Sequence, residues 1–120
     1  MDQPRDESDI DGFHAHIYYD GASRPVAEWL RQEIEQRFRV VMGRWREAPV
    51  GPHPQSMYQV AFANDQFDRL VPWLMLNRRD LDILVHPNTD DAYADHAVNC
   101  LWLGVPLPLR LEGLRALVAA

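Results

Sequence analysis

Phe13-His14-Ala15-His16-Ile17-Tyr18-Tyr19-Asp20 is the stretch whose reading decides the fold. Side chains on a β-strand alternate between its two faces, so His14, His16 and Tyr18 line one face while Phe13, Ala15, Ile17 and Tyr19 line the other. The second set is apolar and reads as the buried face. The two imidazoles one residue apart need another reason, and a metal-centred site that draws on histidines from the rest of the chain supplies one.

Working outward, residues 1–12 hold five acidic residues, a proline and a glycine and read as a flexible acidic N-terminal arm, with a single domain over 13–120. Downstream, Asp20-Gly21-Ala22 supplies a turn, Ser23 an N-cap and Pro25 a first-turn proline. Val26, Leu30, Ile34 and Phe38 then recur every four residues as the buried stripe of a helix. Residues 40–46 read as a strand with Val41 and Trp45 on one side and Met42, Arg44 and Arg46 on the other. Residues 48–55, with three prolines and a glycine, form an irregular loop that carries His53. Residues 56–63 alternate again, Tyr58, Val60 and Phe62 opposite Met57, Gln59 and Ala61. A second helix runs to Asn77 on Phe67, Leu70, Val71 and Leu74, with Pro72 expected to kink or restart it. In the fourth strand, residues 81–86, Leu81, Ile83 and Val85 oppose Asp82, Leu84 and His86. Residues 87–100 read as a loop and a short helix, and the Pro-interrupted 102–111 has room only for an edge strand.

The order β-α-β-β-α-β matches a ferredoxin-like α+β sandwich: a four-stranded antiparallel sheet with both helices on one face. Strands one and three are expected to be central and mutually parallel, with strand four antiparallel beside strand one. His14, the start of strand three after His53, and His86 would then meet at one edge. His14, His16, Tyr18, Gln59, Asp82 and His86 share the open face, and Arg44 and Arg46 are placed to join them.

Composition bounds the function. A chain of 120 residues, 47% apolar and 25% charged, fits one domain with a small core. The formal net charge of −6 and the lack of basic clusters argue against nucleic acid. No apolar run approaches the roughly 18 residues of a membrane helix, and the N-terminus is acidic rather than basic then apolar, so a soluble, cytoplasmic protein is expected. Cys100 is the only cysteine, which excludes an internal disulfide and a cysteine-rich zinc knuckle. A bare sheet face on so small a domain predicts a homodimer. Nitrogen and oxygen donors without a thiolate pair leave Fe(II), Zn, Mn or Ni as the metal, with Asp82 and Asp95 as further ligands or their supports.

Four separated blocks carry a resemblance: residues 13–20; Gly51-Pro52-His53-Pro54 with Met57-Tyr58-Gln59-Val60; Leu84-Val85-His86-Pro87; and Asp95-His96 with Trp102-Leu103-Gly104. Together, in this order over positions 13 to 109, they resemble the DOPA 4,5-dioxygenase family. The resemblance implies a ferredoxin-like fold and extradiol cleavage of a catechol by a bound non-haem metal, with molecular oxygen as co-substrate. The chain departs from it at Thr89-Asp90-Asp91, where the family shows Thr-Gly-Asp, in the loop that leads to His96.

Such chemistry needs about three protein ligands and open metal positions for catecholate and oxygen. His14, His16 and His86 are assigned as metal ligands, with Fe(II) first among the metals. His53 and His96 are the acid–base candidates, set against a plain role as loop histidines that cap backbone carbonyls. Arg44 or Arg46 would pair with a substrate carboxylate, and Tyr18 and Gln59 would orient the ring or a ligand. The alternative is a non-catalytic dimeric ferredoxin-like module that binds an aromatic metabolite on its open face.

Overall fold

In the computed structural model, which describes residues 3–114, the opening stretch is strand β1 (Phe13–Tyr18). It is followed by α1 (Arg24–Arg37), β2 (Val41–Met42), β3 (Met57–Phe62), α2 (Phe67–Asn77), β4 (Ile83–Pro87), α3 (Ala92–Ala97) and β5 (Leu101–Leu103). The strands form one sheet in the order β2-β3-β1-β4-β5. The expected four strands are therefore five, because the Pro-interrupted C-terminal segment adds β5 to the edge beside β4.

Period-two alternation gives the sheet its faces. Ala15, Ile17, Tyr58, Val60, Ile83 and Val85 are buried against Ala27, Leu30 and Ile34 of α1 and Leu70, Val71 and Leu74 of α2, so both helices cover one face. Helix α2 runs through Pro72 without a break, entered by a single 3-10 turn over Asn64–Gln66. Ser23 stands at the N-cap of α1 but makes no cap hydrogen bond from its side chain. Its hydroxyl instead exchanges hydrogen bonds with Asp20 in the preceding turn.

Every neighbouring strand pair is antiparallel, β1 with β3 included: Phe13 faces Phe62 and Tyr18 faces Met57. The expectation that β1 and β3 are parallel is wrong for a simple reason. Helix α1 returns the chain so that β2 runs with β1, and the loop after β2 reverses it, so β3 runs against both. The start of β3 thus lies beside Tyr18, at the far end of β1 from His14.

The strand expected over residues 40–46 is shorter than its alternation implied. Met42 pairs with Val60, but Arg46 pairs with Met57, so residues 43–45 carry one residue more than the partner strand: a bulge. Gly43 permits it, since a Cβ there would press on Gln59 at 3.2 Å. The extra residue turns Met42 and Trp45 alike toward the helix-side core, whereas strict alternation had set them on opposite faces.

The far end of the N-terminal arm is tied down. Gly12 and Ile10 bond the Asn64 side chain, and Asp11 and Gly12 bond Asn88, which lengthens the β1–β4 pairing. Residues 1–2 of that arm and 115–120 of the domain lie outside the described residues.

On the other sheet face Tyr18, Met57 and Leu84 make a second small apolar cluster beneath Cys100, Trp102, Leu107 and Leu109. The chain folds its own C-terminal segment over part of the face that carries the histidines.

Candidate metal centre

Five histidines converge on that face. His14 and His16 project from β1, and His86 stands directly across from His14 in the antiparallel register of β4. His53 arrives differently from the expectation. Its loop begins at the Tyr18 end of the sheet and turns back through Gly51, whose φ of +55° suits a residue without a Cβ, with His53 N–H donating to Val50 O at 3.0 Å. Arg110 N–H donates to Pro52 O at 2.8 Å and clamps the loop from outside. Helix α3 brings His96 over the same point.

Ring centroids lie 4.1 Å apart for His16 and His53, 4.0 Å for His86 and His96, and 5.1 Å for His14 and His86. Nε2 of His16 and Nε2 of His86 are 3.1 Å apart. One nitrogen each from His14, His16 and His86 fall within 4.8 Å of one another, and the same holds for His16, His53 and His96. The two triads share His16.

The surroundings fix which nitrogens are free. His86 Nδ1–H donates to Pro87 O at 2.8 Å and His96 Nδ1–H to Ala92 O at 2.7 Å, so in both rings the lone pair is on Nε2. A backbone carbonyl on the far nitrogen is the usual support of a metal-binding histidine. His16 is 3% exposed, and its Nδ1 is buried with no hydrogen-bond partner. Burial, followed by the mutual repulsion of the imidazoles, pushes His16 well below its ordinary range. The same causes push His53 down to about 4 and His86 down to about 3. His14 is lowered chiefly by burial as well. A cluster of neutral imidazoles with an orphaned buried nitrogen and no thiolate fits a divalent metal with nitrogen ligands.

The carboxylates suggested as ligands are engaged elsewhere. Asp95 is buried, but its Oδ2 accepts from Thr89 N–H at 2.8 Å and its Oδ1 from the Thr89 hydroxyl at 2.5 Å, which latches α3 to the end of β4. Asp82 Oδ1 accepts from Val105 N–H beside β5. Asp91, in the departing Thr89-Asp90-Asp91 turn, caps α3 by accepting from Ala94 N–H. Asp91 was readable as a cap from its residue type. Thr89 and Trp102 stand in the sequence blocks named above, but their roles were not legible there, since their partners are not local in kind: Trp102 stacks on Tyr18, far away in sequence, and Thr89 holds the Asp95 carboxylate.

Arg44, Arg46 and Gln59 line a cleft of about 200 Å³ with His16, His53 and Met57. Neither arginine has a carboxylate partner among the described residues, so both charges are available to an anion. Tyr18 is not on the cleft wall. It is buried, and its hydroxyl meets His53 Nδ1 at 2.7 Å.

Fold and site together define an antiparallel α+β domain that gathers imidazoles beside an arginine-lined cleft. The sequence profile of the Dopa 4,5-dioxygenase family matches residues 13–113, and the chain belongs to that family. It is 33% identical to a DOPA 4,5-dioxygenase of Amanita muscaria over 90% of its own length, and spans about half of that protein (51%). It is also 35% identical to an uncharacterized 21.2 kDa protein of Botryotinia fuckeliana, of which it spans 69%, over 96% of its own length. Its fold superimposes with a TM-score of 0.94 on a crystal structure from Nostoc punctiforme, of a protein described as a candidate dioxygenase, with 59% identity over 95% of this chain and 99% of that one.

Proposed function

We propose that the chain is an extradiol dioxygenase that opens a catechol ring, of the DOPA type, with molecular oxygen at a histidine-bound non-haem metal. The observation that carries this reading is the convergence of His14, His16 and His86 within 4.8 Å, next to a cleft with two unpaired arginines. These three ligands stand on directly paired strands, the most rigid support the fold has to offer. Family membership and the Amanita relative's name support the reaction class.

Bound there, Fe(II) would supply the activation of oxygen toward the ring, which no side chain performs. The chain's own groups do the rest. Arg44 and Arg46 hold the substrate's carboxylate and Gln59 lines the ring's other side. His96 Nε2, with its lone pair set by the Ala92 carbonyl, takes the proton of a ring hydroxyl, and His53 stands across the site as its partner. The C-terminal segment with Trp102 keeps water from the buried side of the cluster.

The test is to purify the protein without oxygen, measure its metal, load Fe(II), and follow oxygen uptake and a yellow ring-opened product with DOPA. His14→Ala and His86→Ala should each lose the metal and the uptake together. Retention of both by His86→Ala, with loss in His53→Ala, would move the ligand set to His16, His53 and His96. Absence of metal and of uptake in the unaltered chain would leave a binding module.

A further inference from the structure

Tyr18 is 1% exposed, its ring is stacked on Trp102 at 5.9 Å, and its hydroxyl has one partner, His53 Nδ1 at 2.7 Å. That contact can be made in two directions. If His53 Nδ1–H donated, the phenolic hydrogen would be buried with no acceptor among the described residues, and its lost hydration would go uncompensated. If Tyr18 O–H donates, all that goes unused is a lone pair, and unused acceptors are tolerated better than unused donors.

We propose that Tyr18 is a positioning residue whose hydroxyl donates to His53 Nδ1 and so keeps the ring proton on Nε2, making His53 an N–H donor toward the cleft. His53 Nε2 has no hydrogen-bond partner among the described residues and is not fully buried, and the residue lines the cleft together with Arg44 and Arg46. The inference rests on the function proposed above and deepens it in two ways. It names what that end of the cleft recognises, an anionic oxygen, since an imidazole N–H beside two guanidinium groups offers donors alone. It also divides the two triads that share His16. His86 and His96 turn lone pairs inward because their Nδ1–H groups feed carbonyls, whereas His53 has a hydroxyl there and turns its N–H inward. While the Tyr18 bond stands, His16, His53 and His96 do not present three lone pairs to one cation.

Histidine-selective 15N labelling and long-range 1H–15N NMR read the tautomer directly, in the metal-free protein and with Zn(II) bound, well above the histidine titration range. The His53 signal, identified by its loss in His53→Gln, should show the Nε2–H form in both states. Tyr18→Phe keeps the ring on Trp102 and should give a measurable Nδ1–H population. An Nδ1–H signal in the unaltered chain, or an unchanged Nε2–H signal in Tyr18→Phe, would overturn the assignment. Should Tyr18→Phe fail to fold, the unaltered chain alone decides. In turnover, Tyr18→Phe should lose about tenfold in kcat/KM, as is usual for a supporting partner, and add no loss to His53→Gln; equal losses in both backgrounds would overturn the coupling. Because the tautomer is read without turnover, a chain that binds Zn(II) but takes up no oxygen would end the proposed activity and leave this assignment in place.

Discussion

The imidazole cluster stores a pH dependence that belongs to single residues. His53, lowered to about 4, and His86, lowered to about 3, stay neutral in the folded chain where their unfolded counterparts, with the ordinary value of 6.5, take up a proton. The unfolded state binds more protons across that window, so stability is fully present above about pH 6.5 and is lost as pH falls toward 4. Each such group contributes a slope of up to about 1.4 kcal/mol per pH unit. Melts of the metal-free protein should fall steeply below pH 6.5, and His86→Gln, which cannot be protonated there, should flatten the slope; a flat profile in the unaltered chain would show that the rings are not held neutral by burial. An alternating strand with two histidines on one face was readable from the sequence. The orphaned Nδ1 of His16 was not, since it depends on neighbours brought in from β4 and two loops.

Latches outside the regular secondary structure position the element that carries His96. Thr89 satisfies both oxygens of buried Asp95 and so fixes α3, hence His96. Thr89→Val leaves that carboxylate short of a partner and should cost about 1–3 kcal/mol, while Thr89→Ser should restore it; urea titrations of the two variants decide. Gly104, at φ +87°, sits where any Cβ would strike the Asp82 carboxylate that receives Val105 N–H. Gly104→Ala should cost about 1–3 kcal/mol, measured the same way, and loosen β5. At this scale the elements with clean alternation, β1, β3 and β4, were legible in which residues face the helices, although β4 runs over Ile83–Pro87 rather than the expected 81–86. The bulge at Gly43 and the direction of β3 were not, because a period-two pattern is the same read in either direction and an inserted residue shows only against a partner strand. The return path of the His53 loop was hidden for the same reason: proline and glycine mark irregularity without saying where it leads.

Taken as a whole, the molecule is two unequal cores on either side of one sheet, a large one under α1 and α2 and a small one under residues 100–109. The bare sheet face that suggested a homodimer is in part covered by the chain itself, so that face alone no longer requires a second copy. Trp102 anchors this cover. Trp102→Ala, at a half-buried position, should cost roughly 2 kcal/mol, less than the 3–5 of a core tryptophan, and should weaken metal retention more than substitutions of equal cost in α1. Thermal melts paired with metal analysis separate these outcomes. That the C-terminal segment crosses the sheet was only partly visible beforehand, as an edge strand, because its contacts with Tyr18 and Met57 are non-local.

Strand β1 is central, yet both of its neighbours come later in the chain, and the short bond between His16 and His86 joins residues 70 apart. A growing polypeptide therefore exposes a two-histidine ribbon long before anything can pair with it. The five imidazoles can meet only after α3 has left the ribosome, so an ion held among them would be taken up by a folded sheet rather than by the nascent strand.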